Sequence, residues 1–310
     1  MAFDGASKVW MDGSLVAWDD AKIHVCSHVI HYGSSVFEGI RCYDTPNGPM
    51  VFRLREHIVR LIGSAKIYRM LPRWTEDQLC QAVIETIRAN GLGACYIRPV
   101  IYRGYKVLGV NPLGCPIDTA IAAWNWGQYL GEGAVKDGVD VTISTWNRLG
   151  PNTMPSMAKS GANYMNSQLI VLEARERGFA EGIALTPSGT ISEGSGENVF
   201  VVYRGRVLTP GLTHSILDGI TRDTAIRLLA DHGTIVEERP IPREMLYLAD
   251  EVFFTGTAAE ITPVRSVDGI PVGTGKPGPL TRQVQEAFFA EVKGGQPTHP
   301  EWLTPVRAGG

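Results

Sequence analysis

A single lysine, Lys159, stands in the otherwise uncharged stretch Pro155-Ser-Met-Ala-Lys-Ser-Gly-Ala-Asn-Tyr164. Small residues surround it, and a helix is expected to begin just after. Such a lysine is either a solvated loop residue or an amine held in a site, where burial lowers its pKa and frees it as a nucleophile. Farther along, Thr190-Ile-Ser-Glu193-Gly-Ser-Gly-Glu197-Asn198-Val-Phe200 sets two carboxylates among glycines ahead of an apolar strand. That composition makes a plain turn with solvated acids, or a place where backbone approaches a ligand closely. Leu217-Asp-Gly219-Ile220-Thr221-Arg222 leads into a helix whose first N–H groups could hold an anion. Simple capping by Thr221 is the alternative. Phe254-Thr-Gly256-Thr257-Ala258-Ala-Glu260 follows a strand, and its small residues form a second anion nest or a tight turn. A rival chemistry sits at the front, where His24, His28 and His31 fall close together. On one helix they would share a face, as zinc ligation requires; in an extended segment they would not. No HExxH pattern accompanies them, and metal binding is not expected.

These segments need elements to hold them. Asp12-Gly13 between two alternating runs predicts a hairpin. Leu54, Ile58, Leu61, Ile62 and Ala65 recur at helical spacing. Thr75-Glu-Asp-Gln78 reads as a capping box, followed by the stripe Leu79, Val83, Ile84, Ile87 and a stop at Gly91. Tyr96 to Tyr102 alternates like a strand, and its internal Pro99 predicts an edge or a bulge. Thr119 to Trp124 is a further strand. The apolar pattern then lapses. This predicts a small N-terminal α/β domain over 1–126, a linker over 127–135 and a larger domain over 136–310. In the latter, strand-like runs at 139–145, 183–186, 199–203, 206–209 and 251–255 mix with helix-like runs at 165–177, 222–231 and 281–292. Irregular alternation of this kind points to an α+β (mixed α/β) fold, not a TIM barrel or a Rossmann fold. The Gly- and Pro-rich tail, 294–310, is expected to be loosely held.

Composition narrows the classes. The 310 residues fit about two domains. A net charge of −3 and a pI near 6.2 give no long-range basic field for nucleic acid or an anionic membrane. No apolar run approaches the roughly 18–20 residues of a membrane helix. The opening ten residues carry Asp4 and Lys8 without an apolar core, so no signal peptide is expected. Five scattered cysteines, Cys26, Cys42, Cys80, Cys95 and Cys115, form no CxxC pair. They read as reduced thiols of a cytoplasmic protein.

Order and spacing say more together than any segment alone. The sequence holds Glu193-x-Ser195-x-x-Asn198-Val199-Phe200, then Val207-x-Thr209, then Leu217-x-Gly219-Ile220-x-Arg222. Tyr32-Gly33, Phe37-Glu38-Gly39-Ile40-Arg41 and Glu260-Ile-Thr-Pro-Val-Arg265 accompany them. With these motifs the chain resembles the class IV (fold type IV) aminotransferases, which use pyridoxal 5'-phosphate (PLP). Within them it is similar to the branched-chain amino acid branch of bacterial type. The resemblance runs from Trp10 to about Ala290.

The resemblance implies a two-domain fold-type-IV enzyme in which Lys159 bonds PLP through its amine. Glu193 would pair with the pyridine nitrogen and Tyr164 would contact the phenolic oxygen. Arg60, Ile220, Thr221 and Thr257 would hold the phosphate, with Leu217, Gly219 and Gly256 completing the cofactor site. The implied substrate side comprises Tyr32, Phe37, Gly39, Tyr96, Arg98, Val110, Trp126, Tyr129, Thr257 and Ala258, with no metal. The implied reaction moves the amino group of L-leucine, L-isoleucine or L-valine to 2-oxoglutarate, in a homodimer or larger homo-oligomer. The histidine cluster becomes part of a strand and loop scaffold. Within the fold the alternatives are a D-amino acid aminotransferase, an (R)-amine transaminase and an aminodeoxychorismate lyase. Tyr96-x-Arg98 and Leu108-Gly109-Val110 favour the branched-chain reading. Outside the fold they are a His-cluster metal hydrolase and a non-catalytic interaction protein.

Overall fold

The computed structural model describes residues 3–127, 130–131 and 133–306. The chain divides into two compact units, neither of which is one stretch of sequence. The first comprises Met1–Gly127, Ala158–Ala162 and Ala290–Gly310; the second comprises Gln128–Met157 and Asn163–Phe289. Among the described residues no helix is long and apolar enough to cross a membrane.

The first unit is built on an eight-stranded sheet. The Asp12-Gly13 turn joins Lys8–Met11 to Ser14–Ala17, with Met11 opposite Ser14. The capping box forms: Thr75 Oγ1 accepts from Gln78 N, and Gln78 Oε1 accepts from Thr75 N, opening the helix Glu76–Ala89. Its stripe Leu79, Val83 and Ile87 packs with Leu54, Ile58, Leu61 and Ala65 of the helix Leu54–Ile67 against Ile40, Ile97 and Ile101 of the sheet. Each aliphatic side chain so buried contributes about 1.5–3 kcal/mol.

Two expectations are corrected here. Pro99 does not mark an edge or a bulge. The strand Cys95–Arg103 lies inside the sheet, paired with Ile117–Trp124 on one side. On its other side lie Ile40–Thr45 and Ser35–Phe37. A strand residue's N and C=O face the same neighbour. Pro99 therefore aims its missing donor where that neighbour is broken: Ile40 pairs with Ile97 and Phe37 with Val100, leaving Glu38 opposite Pro99 and Gly39 opposite Arg98. Glu38 N donates to Pro99 O at 2.9 Å, so the break remains anchored. Nor is the described part of the tail, up to residue 306, loose throughout. Leu303–Pro305 adds a strand to Gly48–Phe52, and Trp302 is buried, its carbonyl accepting from Arg53 N at 2.6 Å.

The second unit carries a nine-stranded mixed sheet. Val139–Ile143 pairs in parallel with both Glu181–Leu185 and Glu260–Val267, while Asn198–Tyr203 pairs antiparallel with Glu251–Gly256. The helices Tyr164–Glu176, Ile220–Asp231 and Pro279–Lys293 fall where the apolar spacing puts them. The short strands Ile191–Gly194 and Val236–Glu238 had no periodic signal, because three or four residues span too little of a period to show one. The five cysteines are free, with Cys26 and Cys80 half-buried and the other three buried.

Candidate active site

In the first unit the site grows from the strand Ser35–Phe37 and the helix Leu54–Ile67. The segment Ala158–Ala162 is strapped to both. Lys159 N donates to Ser64 Oγ (3.1 Å) on the helix, and Lys159 O accepts from Phe37 N (2.9 Å). Val36 bridges to Ser160, and Gly161 N donates to Ser35 O at 3.0 Å. Lys159 is thus half-buried and held, not a solvated loop residue, and its Nζ lies 5.2 Å from the centre of the Phe37 ring.

The same ring supports Arg98, whose guanidinium carbon is 4.7 Å from its centre. Arg98 Nη2 donates to Tyr96 Oη at 3.1 Å, and Trp126 meets the Tyr96 ring edge-on at 4.0 Å. Gly39 is dictated by Tyr96: a Cβ there would sit 1.9 Å from the phenolic oxygen. Lys159, Phe37, Gly39, Tyr96, Arg98 and Trp126 therefore form one cluster. Arg98 Nε is buried without a hydrogen-bond partner, an orphaned cationic donor of the kind a carboxylate ligand would satisfy.

Arg60 stands on the inner face of the helix. Its Nε and Nη2 donate to Glu38 Oε1 (2.7 Å) and Oε2 (2.8 Å), and His57 Nδ1 donates to the same Oε2 at 2.8 Å. Burial alone would raise the Glu38 carboxyl, but the Arg60 charge and the His57 and Arg60 hydrogen bonds overcome it and hold the group well below the usual carboxylate range. His57 is shifted down by its own burial, with the Arg60 and Lys159 charges adding to it against the opposing pull of Glu38. Glu38, His57 and Ser64 were not foreseen as site residues. The signal for Glu38 lay in the Phe37-Glu38-Gly39 motif; that for His57 was its spacing three residues before Arg60 on a helix.

Tyr32 and Val110 remain apart from this cluster's packing. Tyr32 is 43% exposed and Val110 88%, so neither is covered by its own chain. His28 links their neighbourhoods, stacking on Tyr32 at 4.4 Å and bonding through Nε2 to Gly109 O at 2.9 Å. The histidines are not on strands: His28 and His31 lie on a short helix, His28–Tyr32, because Ser27 and Gly33 delimit a single turn. His28 Nδ1 bonds Ser34 Oγ and His31 Nε2 bonds Val25 O. No metal-holding group of three His, Cys, Asp or Glu occurs among the described residues. Tyr129 lies outside the described residues.

In the second unit the site grows from Glu193 on the strand Ile191–Gly194. Its carboxylate is buried, with Oε1 accepting from Arg148 Nη2 (2.5 Å) and Oε2 from Asn198 Nδ2 (3.1 Å) and Leu217 N (3.0 Å). Arg148 also reaches Asn166 Oδ1 and Ser167 Oγ, in the first turn of the helix that Tyr164 opens. Asn198 donates as well to Leu217 O at 2.9 Å. Gly219 is the N-cap residue of Ile220–Asp231, and a Cβ on it would lie 1.9 Å from Asn198 Oδ1. Thr221 is therefore inside the helix and not its cap. The first N–H groups of a helix have no intrahelical acceptor, which suits the start of this helix, at Ile220 and Thr221, to an anion. Thr257–Ala259 turns between Gly256 and its strand partner Glu260, beside Asn198, which pairs with Thr255. Glu193, Leu217, Gly219, Ile220, Thr221, Gly256, Thr257 and Ala258 are thus gathered at one end of this sheet, with Tyr164 tied in through Arg148. Arg148 was missed, since nothing in Trp146-Asn-Arg-Leu-Gly150 separates it from a surface arginine.

Comparison with known proteins agrees with this chemistry. A family model described as amino-transferase class IV matches residues 35–267. The branched-chain-amino-acid aminotransferase of Salmonella typhimurium is 53% identical over 304 residues, 98% of each chain. That of Escherichia coli K12 is 53% identical over 302 residues, covering 97% of this chain and 98% of the other. The crystal structure of the Escherichia coli enzyme superposes with a TM-score of 0.96, at 53% identity, over 97% of this chain and 100% of that one. The branched-chain amino acid aminotransferase of Thermobaculum terrenum, solved in its PLP-form, gives 0.89 at 36% identity, over 98% and 99%. Motifs, fold and near-complete alignment converge, and the chain belongs to the class IV aminotransferases, a family of PLP-dependent transaminases.

Proposed function

We propose that this chain is a PLP-dependent transaminase that moves the amino group of L-leucine, L-isoleucine or L-valine to 2-oxoglutarate, giving branched-chain 2-oxo acids and L-glutamate. The observation that carries it is the 53% identity, over almost all of both chains, to enzymes of that name. The residues fit the cofactor. A basic ring nitrogen suits the pinned Glu193 carboxylate, and by the resemblance the phosphate dianion falls to Arg60, Ile220, Thr221 and Thr257, with Gly256 beside them. Leu217 and Asn198 keep Glu193 oriented, Gly219 keeps the helix end open, and Tyr164 meets the phenolic oxygen. When bound, PLP supplies an aldehyde for the amino group and a protonated ring that draws electrons from the substrate carbon.

Lys159 Nζ would hold the cofactor at rest and, once the substrate's amino group has displaced it, would be free to take the proton from substrate Cα as general base. Phe37, Tyr96 and Trp126 supply apolar walls for an aliphatic side chain, with Gly39 admitting the Tyr96 hydroxyl. Arg98 accepts the distal carboxylate of glutamate or 2-oxoglutarate. Tyr32, Val110, Tyr129, Thr257 and Ala258 complete the substrate side by resemblance. The exposed apolar residues Val25, Ile30, Leu108, Val110 and Leu113 support a homodimer or larger assembly, and the composition supports a cytoplasmic setting. A small domain over 1–126, a linker over 127–135 and a larger domain over 136–310 remain the proposed division, with Ala158–Ala162 and Ala290–Gly310 grouping with the first unit. Specificity for D-amino acids or (R)-amines is not favoured, and neither is a metal hydrolase.

The test is a half-reaction screen of the PLP-loaded enzyme, read by the cofactor's absorbance. L-leucine, L-isoleucine, L-valine and L-glutamate should each convert it, whereas D-alanine and (R)-1-phenylethylamine should not. Conversion by the D-amino acid or the (R)-amine alone would overturn the assignment.

A further inference from the structure

We propose that Glu38 and His57 are positioning residues for the cofactor phosphate, acting through Arg60. The inference rests on the reading of Arg60 as a phosphate ligand, and it concerns residues that no part of that reading uses. Glu38 engages the guanidinium through two donors, Nε and Nη2, one to each carboxylate oxygen. A two-point contact fixes the plane of the guanidinium as well as its place. The carboxylate has no solvent exposure, so it cannot swing to water and release the arginine. His57 closes the arrangement from behind, donating to the Oε2 that Arg60 Nη2 also reaches. Its ring is 1% exposed and lies three residues before Arg60 on the same helix face.

The charges suit this task. One carboxylate and one guanidinium cancel, and burial keeps His57 neutral, so the cluster orients Arg60 without adding a charge of its own. An arginine fixed during folding does not give up its rotamer freedom again when the phosphate binds. One turn on, Ser64 holds the backbone of Lys159. A single helix face, carrying His57, Arg60 and Ser64, therefore sets both the phosphate anchor and the reactive amine.

The experiment titrates the apoenzyme with PLP and, separately, with pyridoxal, which has the same ring and aldehyde but no phosphate. Binding is read by absorbance, and folding of each variant by its urea midpoint. Glu38→Gln and His57→Leu should weaken PLP by about tenfold to a hundredfold, with pyridoxal changed by less than about twofold. His57→Asn, whose amide nitrogen replaces Nδ1, should bind PLP within about twofold of wild type. Should His57→Leu not fold, the isosteric Glu38→Gln carries the comparison. Parallel weakening of PLP and pyridoxal, or weakening of neither, would overturn the proposal. A wild-type apoenzyme that binds neither compound would instead overturn the functional reading on which it rests.

Discussion

Arg98 carries a buried Nε with no acceptor, stacked on Phe37 and tied to Tyr96 by one hydrogen bond. A charge-assisted bond to a carboxylate contributes about 1.5–3 kcal/mol. Arg98→Ala should therefore lower kcat/KM for glutamate and 2-oxoglutarate by roughly tenfold or more. Leucine, with no distal carboxylate, should lose less; equal losses in steady-state kinetics would count against this role. At Lys159 the expectation is sharper. Lys159→Ala should abolish turnover while leaving circular dichroism and the thermal midpoint close to wild type, because the segment is held by its backbone and not by its amine. Lys159, Glu193, Arg60 and Arg98 could be named from the sequence only through the resemblance its motifs carry, and Arg148 could not be named at all. Glu38's role was not legible, because a carboxylate written between Phe37 and Gly39 gives no sign that it closes on an arginine 22 positions away.

At the level of elements, local rules held where the deciding interaction is local. The capping box at Thr75 needs only four consecutive residues. Thr75→Ala should cost about 1 kcal/mol in urea denaturation. Leu61→Ala, which empties a fully buried position of the neighbouring helix, should cost about 2–5 kcal/mol. Pro99 shows where a local rule fails. A proline predicts an edge when its neighbours are unknown, but here the neighbouring strand is interrupted opposite it, and that interruption is where Glu38 and Gly39 sit. The tail failed in the same way: its Gly and Pro content is real, but Trp302 packs edge-on to Phe52 and Leu303–Pro305 finds a strand edge that the sequence around them does not reveal.

For the whole molecule, the buried Glu38–His57 pair makes stability depend on pH with a definite sign. Both groups have folded pKa values below their unfolded ones, so the unfolded chain binds more protons. Stability should fall as pH drops below about 6.5, the ordinary histidine value, and fall further below about 4.3, the ordinary glutamate value. Urea midpoints at a series of pH values test this. His57→Asn should flatten the first portion of the curve, and an unchanged slope there would assign the loss to other groups.

The sequence by itself determined the family and most of the long helices and strands. These depend on spacing along the chain, which folding does not alter. Only the tertiary structure decided that Pro99 lies inside a sheet and that residues 158–162 and the tail group with the first unit. It alone showed that Glu38 grips Arg60 and is itself held by His57, and that Arg148 and Asn198 grip Glu193. Those partners are far apart in sequence, and their contacts depend on which strands become neighbours, a choice made by burying the whole apolar surface at once.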